Sequence, residues 1–188
     1  GSAYDLNINM FNVLQHTITG WPGGKPNTDD TYRPERANPA KKRVILFSPH
    51  PDDDVISMGG TFSKLIKQGH DVHVVYQTSG NIAVTDDEAL KFAEVCNDFV
   101  GDDDSKINFL KVIDFINNKS ENQIDSAEVR KLKGLIRRRE SYAATRYIGL
   151  KDENTHFLDL PFYETGQIKK NPYGPKDVEI VRDIIAKI

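Results

Sequence analysis

The chain alternates short apolar runs with helical patterns, and this alternation limits the folds that are open to it. The run Arg43–Ser48 is rich in β-branched residues and has the length of a strand buried on both faces. A helical pattern follows over Val55–Lys67, and a second strand-like run follows over Asp71–Gln77. A strand, a helix and a strand in succession predict a parallel pair of strands with the helix packed across it.

The same alternation continues to the end of the chain. We predict a third strand over Phe157–Leu160, and further helices over Asp86–Phe99, Lys106–Asn117, Asp125–Ile148 and Asp177–Ile188. The expected fold class is therefore α/β, a three-layer α/β/α, Rossmann-like parallel sheet. Ligands of such sheets bind beyond the carboxyl ends of the strands.

Residues 1–40 are predicted to form a separate lead-in to a domain that spans residues 41–188. Gly1-Ser2 is interpreted as a tag remnant, Tyr4–Ile18 as a short helix, and the proline- and glycine-rich stretch after it as an interdomain linker. An ordered arm that is anchored by Trp21 is the alternative. The acidic run 101–104 is predicted to be a solvated turn rather than a calcium site.

Composition excludes several classes of partner. A net charge of -3 over 188 residues does not indicate binding to nucleic acid or to a membrane surface. No apolar run approaches the roughly 20 residues that cross a bilayer. Cys96 is the single cysteine, so an internal disulfide is excluded and a reducing, cytoplasmic compartment is expected. At an apolar helical position, Cys96 is predicted to be a buried structural thiol.

A dense group of polar residues follows the first predicted strand, at the edge where a site belongs. Imidazole nitrogens and carboxylate oxygens are zinc ligands. Three positions apart around a turn, His50 and Asp53 can converge on one ion, whereas Asp52 is displaced to the side and is free to take a proton from bound water. Pro49 and Pro51 stiffen the turn. The pattern predicts half of a zinc site, with Asp52 as its base.

The alternative is that the three consecutive aspartates only cap the helix that follows them. Carboxylates at a helix N-terminus are stabilised by about 0.3–1 kcal/mol each. One cap needs one aspartate, however, and three adjacent carboxylates repel one another unless a cation lies among them. A histidine flanked by prolines has no role in a cap, so we favour the metal site.

Several motifs, in this order and spacing, resemble the LmbE-like, or PIG-L, N-acetylglucosaminyl deacetylase family over roughly residues 42–188. They are Ser48–Val55, Gly59-Gly60-Thr61, Thr78-Ser79-Gly80, Arg137-x-x-Glu140 and Phe157–Pro161. The resemblance implies a zinc-dependent N-deacetylase that acts on a small-molecule amino sugar. It also implies residue roles: His50 and Asp53 as zinc ligands, Asp52 as general base, and Arg137, Thr78, Ser79 and Gly80 near the substrate.

Two departures from the family pattern affect what the resemblance implies. Asp54 stands where the family usually has glutamate. The family's third zinc ligand is a histidine in a later loop, after another strand, and this chain ends at Ile188, before that strand. The resemblance therefore implies that the sheet lacks its C-terminal strands. Zinc is therefore expected in the intact domain, and an incomplete metal site is expected here. Asp159 and Glu164 are candidates to approach the metal through water, whereas the remaining histidines, His16, His70, His73 and His156, are predicted to be packing or surface residues.

The lead-in is similar to the connector of a bacterial two-domain architecture. In that architecture a glucosamine-6-phosphate deaminase-like domain precedes a PIG-L-like domain, although nothing in this chain matches the deaminase active site.

Two other functions were weighed against the deacetylase. A receiver-type phosphoacceptor module needs its phosphorylated aspartate about forty residues after the first acids, whereas Asp159 lies more than a hundred residues on. A non-catalytic carbohydrate-binding or regulatory domain remains open, and zinc content separates it from a working enzyme. A sheet without its last strands exposes an edge, so self-association through that edge is also expected.

Overall fold

The computed structural model describes residues 1–14, 40–100, 106–167 and 169–188. Residues 15–18 of the helix predicted over Tyr4–Ile18 lie outside the described residues, as do the linker with Trp21 and the acidic run 101–104. Within those ranges the strands are β1 (Arg43–Ser48), β2 (Asp71–Tyr76) and β3 (Thr155–Phe157). The helices are α1 (Ala3–Leu14), α2 (Asp53–Lys67), α3 (Asp86–Val100), α4 (Lys106–Asn117), α5 (Ala127–Tyr147) and α6 (Pro175–Lys187). Short 3₁₀ turns occupy Asn81–Ala83 and Asp152–Asn154.

The three strands form one parallel sheet in the order β1-β2-β3. Ser48 at the end of β1 pairs with Tyr76 at the end of β2, and Tyr76 pairs in turn with Phe157 at the end of β3. All three strands therefore end at the same edge of the sheet. Helices flank this sheet, which confirms the predicted α/β, Rossmann-like fold class.

The main apolar core lies between the sheet and α2. Phe62 of α2 and Val74 and Tyr76 of β2 are fully buried. Burying an apolar side chain of this size stabilises the fold by about 1.5–3 kcal/mol. The prediction that β1 is buried on both faces is wrong, because β1 is an outer strand of the described sheet and Phe47 remains 36% exposed.

A second group of helices, α3, α4 and α5, packs around small and β-branched residues. Ala93, Val112 and Val129 form its buried centre, where the alanine lets α3 approach its neighbours closely. Ile136 of α5 packs against Ala89 of α3 and against Val84 in the segment that follows β2. Cys96 of α3 is half-buried rather than buried.

The start of α5 differs in detail from the prediction. Ser126 is the N-cap, and its hydroxyl accepts a hydrogen bond from the Val129 N–H at 3.2 Å. Asp125 does not cap the helix and instead binds two lysines. The predicted helix ends are confirmed, because Gly149 after α5 and Gly69 after α2 have φ angles of 90° and 71°.

The third strand lies earlier than predicted, at Thr155–Phe157 rather than Phe157–Leu160. Asp159 has a φ of 46°, and this left-handed backbone breaks the pleat of a strand. The chain still runs beside β2, because the N–H groups of Leu158 and Leu160 donate to the carbonyls of Tyr76 and Gln77, each at 2.9 Å.

The shift also moves His156 from the start of β3 to its middle, opposite Val75. There its ring stacks on that of His73, with 3.1 Å between His73 Nδ1 and His156 Nε2. Burial, the neighbouring His73 and Lys187 together lower the pKa of His156. Both histidines are packing residues, as predicted. They pack against each other within the sheet, away from its carboxyl edge.

Candidate active site

The segments that follow the three strands meet at the carboxyl edge of the sheet. They enclose a cavity of about 330 Å³ together with α5. Its lining includes His50 and Asp52 after β1, Gly80 after β2, Tyr163 after β3, and Arg137 from α5. The structure thus brings together residues that lie more than a hundred positions apart in the sequence.

The three consecutive aspartates point to three different partners. Asp52 Oδ2 lies 2.9 Å from Arg137 Nη2. Asp53 Oδ2 accepts from the backbone N–H of His50 at 3.0 Å and lies 3.1 Å from His50 Nδ1. Asp54 Oδ2 accepts from the Tyr76 hydroxyl at 2.8 Å. Asp52 occupies the N-cap position of α2, yet its side chain makes no capping hydrogen bond. The helix-cap alternative is therefore not supported.

The backbone of Asp52 is strained in a way that directs its side chain. Its φ of 105° lies in the left-handed region, which non-glycine residues rarely adopt. Such conformations cost about 1–3 kcal/mol and concentrate at functional sites. Asp52 lines the cavity, and its carboxylate binds Arg137, whereas the Asp53 carboxylate contacts His50.

His50 and Asp53 offer a nitrogen and an oxygen that already converge. Their side chains are 46% and 35% exposed, so a ligand can reach both. This donor chemistry fits two positions of a zinc site, whose catalytic form uses three protein ligands and one water. No group of three or more histidine, cysteine, aspartate or glutamate side chains is placed to hold a metal within the part of the chain that the structure describes. His50 and Asp53 are therefore two candidate ligands among the described residues, and their role at a metal stays a prediction.

The candidates for a third ligand are engaged elsewhere. Asp159 Oδ2 binds Arg138 Nη2 at 2.6 Å. Glu164 accepts from the Ser79 N–H and from Asn81 Nδ2, both at 3.1 Å. His70 Nδ1 accepts from the Lys42 N–H at 3.1 Å. His16 lies outside the described residues.

Arg137 connects the motif around His50 to α5. Its side chain is only 15% exposed, and its guanidinium binds the Asp52 carboxylate, the Pro51 carbonyl and, at 3.3 Å, Glu140 Oε2. The guanidinium therefore holds the Asp52 side chain in one orientation inside the cavity. Arg137 also lines that cavity, so it is within reach of a bound molecule.

The loop after β2 is fixed tightly against the motif. The Thr78 hydroxyl donates to the Pro49 carbonyl at 2.8 Å, and the Ser79 hydroxyl accepts from the Asn81 N–H at 3.3 Å. Gly80 has a φ of 64°, and a Cβ there would lie 2.9 Å from Pro51 Cδ. Only glycine fits this close approach. Contact of Thr78, Ser79 and Gly80 with substrate stays a prediction.

The sequence did not indicate that Tyr163 contacts His50 or that Glu164 binds the loop after β2. The Tyr163 ring meets the His50 ring edge to face, with 5.5 Å between centroids, and burial together with the nearby Glu164 raises the pKa of its hydroxyl. Asp177 at the start of α6 holds this segment by accepting from the N–H groups of Phe162 at 3.0 Å and Gly174 at 2.8 Å. No local pattern distinguishes Tyr163 and Glu164, because their partners His50, Ser79 and Asn81 are distant in sequence.

Asp54 contributes a buried carboxylate directly beneath the motif. Burial raises its pKa, outweighing the opposing hydrogen bond from Tyr76. Its Oδ1 has no hydrogen-bond partner among the described residues, and it lies at a small cavity of about 120 Å³ between α2 and α5. A charged oxygen left in this position is unfavourable.

We expect Asp54→Asn to stabilise the metal-free chain at neutral pH by about 1 kcal/mol. The folded-state pKa of Asp54 lies above its ordinary value of 3.8, so its contribution to stability is greatest below that value and declines as pH rises through the folded-state pKa. Asparagine keeps an acceptor for Tyr76 and carries no charge. Urea denaturation from pH 4 to pH 7 measures the effect.

The stability advantage of Asp54→Asn over wild type should grow across this pH range. Asp87→Asn, an exposed carboxylate on α3, is the matched control and should show little change. An Asp54→Asn advantage that is constant with pH would contradict the interpretation.

The fold and the site together define a class: an α/β, Rossmann-like protein with a histidine–carboxylate pair and a displaced aspartate at the carboxyl edge of a parallel sheet. Residues 45–188 match the sequence profile of the PIG-L family, described as GlcNAc-PI de-N-acetylase. The chain belongs to this family.

Two curated relatives extend this result. A glucosamine-6-phosphate deaminase-like protein of Bacteroides thetaiotaomicron is 55% identical over 194 residues, which cover 100% of this chain and 29% of the relative. A diacetylchitobiose deacetylase of Thermococcus kodakarensis is 45% identical over 47 residues, covering 25% of this chain and 18% of the relative. The chain therefore spans less than a third of the length of the Bacteroides protein. No solved structure matches the chain significantly. Among the described residues, no helix has the length and apolar character needed to span a membrane.

Proposed function

We propose that this domain is a zinc-dependent N-deacetylase of an N-acetylated amino sugar or its conjugate. The observation that carries the proposal is the geometry of the motif: His50 Nδ1 and Asp53 Oδ2 lie 3.1 Å apart, and Asp52, on a left-handed backbone, lines the same cavity as His50. Membership of a family that includes deacetylases supports it. The names of both relatives refer to amino sugars, which supports the substrate class.

Each residue of the site has a role in this proposal. When bound, zinc would polarise the amide carbonyl and lower the pKa of a bound water. His50 and Asp53 would hold it. The Asp52 carboxylate would accept the proton of the attacking water and pass it to the leaving amine. Arg137 would keep that carboxylate in position, and Tyr163 and the 78–81 loop would form the walls against which the sugar binds.

A complete site requires a third protein ligand. We propose that it comes from residues outside the described ranges, in a longer protein with the two-domain architecture whose connector the lead-in resembles. In such a protein the chain from residue 41 onward would be the first portion of the deacetylase domain, joined to a glucosamine-6-phosphate deaminase-like domain by the lead-in.

One observation favours a second candidate function. In this chain Arg137 neutralises Asp52, and only two metal ligands come together among the residues described. A non-catalytic carbohydrate-binding or regulatory domain would have this arrangement. Zinc binding distinguishes the two functions, because only the enzyme needs the metal.

We expect a chain extended past Ile188 to bind about one zinc ion. His50→Ala should weaken zinc binding more than about 100-fold, because replacing even a residue that only hydrogen-bonds to a metal ligand typically costs about 10–100-fold in affinity. Isothermal titration calorimetry and metal analysis measure the affinity and the stoichiometry. Acetate release from N-acetylglucosamine should be lost with the metal.

Asp87→Asn is again the control and should retain both zinc and activity. An extended chain that takes up no zinc would support the non-catalytic function. Zinc affinity and acetate release that are both unchanged in His50→Ala would exclude the proposed metal site.

A further inference from the structure

The segment after β3 places a lysine against the aromatic wall of the candidate active site. Lys170 Nζ lies over the face of the Tyr163 ring, 3.9 Å from its centroid. It also donates to the backbone carbonyls of Tyr163 at 3.2 Å and of Gln167 at 2.9 Å. An ammonium has three N–H donors, so these two hydrogen bonds leave one for the ring. The position of the Tyr163 ring is therefore coupled to that of the Lys170 side chain.

The same ring is the contact through which this segment reaches the motif around His50. Tyr163 is only 8% exposed, and its ring meets that of His50 at an interplanar angle of 63°. Aromatic rings prefer such an edge-to-face arrangement to a parallel sandwich. The His50 side chain is itself 46% exposed, so its ring has room to turn unless a neighbour holds it. Lys170, Tyr163 and His50 thus form a chain of contacts that ends on the imidazole.

The ammonium of Lys170 is partly withdrawn from water. Its side chain is half-buried, and burial lowers its pKa, although the nearby Glu164 opposes this change. A cation over an aromatic face binds more strongly where water does not compete for its charge. The surroundings of Lys170 therefore strengthen its contact with the Tyr163 ring.

Other contacts fasten this segment independently of Lys170. The Tyr173 ring stacks on that of Phe162, with 4.2 Å between centroids, and the Tyr173 hydroxyl donates to Gln77 Oε1 at 2.8 Å. The Asn171 N–H donates to the Phe162 carbonyl at 3.3 Å. Because these bonds already close the segment, the contact between Lys170 and the Tyr163 ring can be removed without opening it.

We propose that Lys170 is a positioning residue for the candidate metal site: by holding the Tyr163 ring, it fixes the orientation of the His50 imidazole. The inference goes beyond the proposed function, which gives Lys170 no role, and rests on it for the identity of the metal. A ligand that is already held in one orientation binds at a lower entropic cost. A purely structural role, in which Lys170 only closes the loop, would leave the imidazole unaffected.

The first test follows the imidazole C–H signals of the five histidines by NMR in the metal-free chain, at one fixed pH. His50→Ala identifies the His50 signal, and Tyr163→Leu gives the position of that signal without the ring current of the tyrosine. In Lys170→Met we expect the His50 signal to move most of the way to its position in Tyr163→Leu. Lys170→Gln can still donate to backbone carbonyls but carries no charge, and it should give the same shift. Lys170→Arg keeps both the charge and the donors and should leave the signal in place.

Two controls separate this role from a structural one. Lys169→Met removes an exposed charge beside Lys170, and Tyr173→Phe removes the hydrogen bond to Gln77 while it keeps the ring on Phe162. Neither control should move the His50 signal. The proposal would be overturned by an unchanged signal in either Lys170→Met or Lys170→Gln. A shift in Lys170→Arg or in either control that equals the shift in Lys170→Met would also overturn it.

The second test measures the zinc affinity of the extended protein by calorimetry. We expect Lys170→Met to weaken zinc binding about tenfold, the lower end of the 10–100-fold that partners of metal ligands typically contribute, because Lys170 acts through Tyr163. Lys170→Arg, whose guanidinium also stacks on aromatic faces, should retain the wild-type affinity within about twofold.

The two tests distinguish failure of this inference from failure of the proposed function. A His50 signal that depends on Lys170, in a protein that takes up no zinc, would count against the zinc enzyme and leave the positioning of His50 standing. Equal zinc affinity in wild type and Lys170→Met would overturn the positioning role, and acetate release by both proteins would leave the proposed function intact.

Discussion

Asp52→Asn is expected to lower kcat/KM for acetate release by about 10²–10⁴-fold, the usual contribution of a general base, while zinc affinity stays the same. The substitution removes the charge and the ability to accept a proton. It preserves the shape, and asparagine is among the few residues that tolerate the left-handed backbone, φ 105°, of position 52. The hydrogen bond from Arg137 to the side-chain oxygen can also remain.

Three measurements on the extended protein make this prediction specific. Acetate release measures catalysis, and calorimetry measures the affinity for zinc at the His50–Asp53 pair. Circular dichroism during heating measures the thermal stability of the fold. Asp87→Asn provides the same chemical change on the exposed surface of α3. Activity within a few-fold of wild type would show that Asp52 is not the base, and a parallel loss of zinc would show that Asp52 belongs to the metal site instead.

The geometry of the candidate motif could be predicted from the sequence because it is local. His50, Asp52 and Asp53 lie within four positions, so a single turn decides which of them converge. The prediction that His50 and Asp53 meet and that Asp52 is displaced agrees with the distances in the structure. The order of strands and helices was predictable for a similar reason, since each apolar run is bounded by its own glycine or polar segment.

Features that depend on distant partners could not be read in this way. The extent of β3 was misjudged because Leu158 and Leu160 continue an apolar pattern, whereas the backbone of Asp159 ends the strand. Glu164 holds the loop at Ser79 across 85 positions. Asp125 looked like part of a helix cap, and only its contact with Lys133 shows otherwise. In each case a tertiary contact overrides what the local sequence favours.

We expect Lys133→Met to destabilise the fold by about 3 kcal/mol, because removing one partner of a buried ion pair leaves an uncompensated charge. Lys133 is only 5% exposed, and methionine preserves most of its aliphatic packing. Asp86 and Asp125 would then share a single ammonium, that of Lys119. Removing one partner of a buried ion pair usually costs about 3–5 kcal/mol. We expect the lower end of this range, because Asp86 keeps 36% of its side-chain surface in contact with solvent.

Urea denaturation gives this cost directly, and a fall of about 6–12 °C in Tm is expected for a chain of this size. Lys131→Met, an exposed lysine two positions away on α5, should change stability by less than about 0.5 kcal/mol. The double variant Lys133→Met/Asp86→Ala removes one charge of each sign. It should therefore cost less than the sum of its two single variants, by more than the error of about 0.5 kcal/mol expected for independent sites. Strict additivity would mean that the two side chains do not interact.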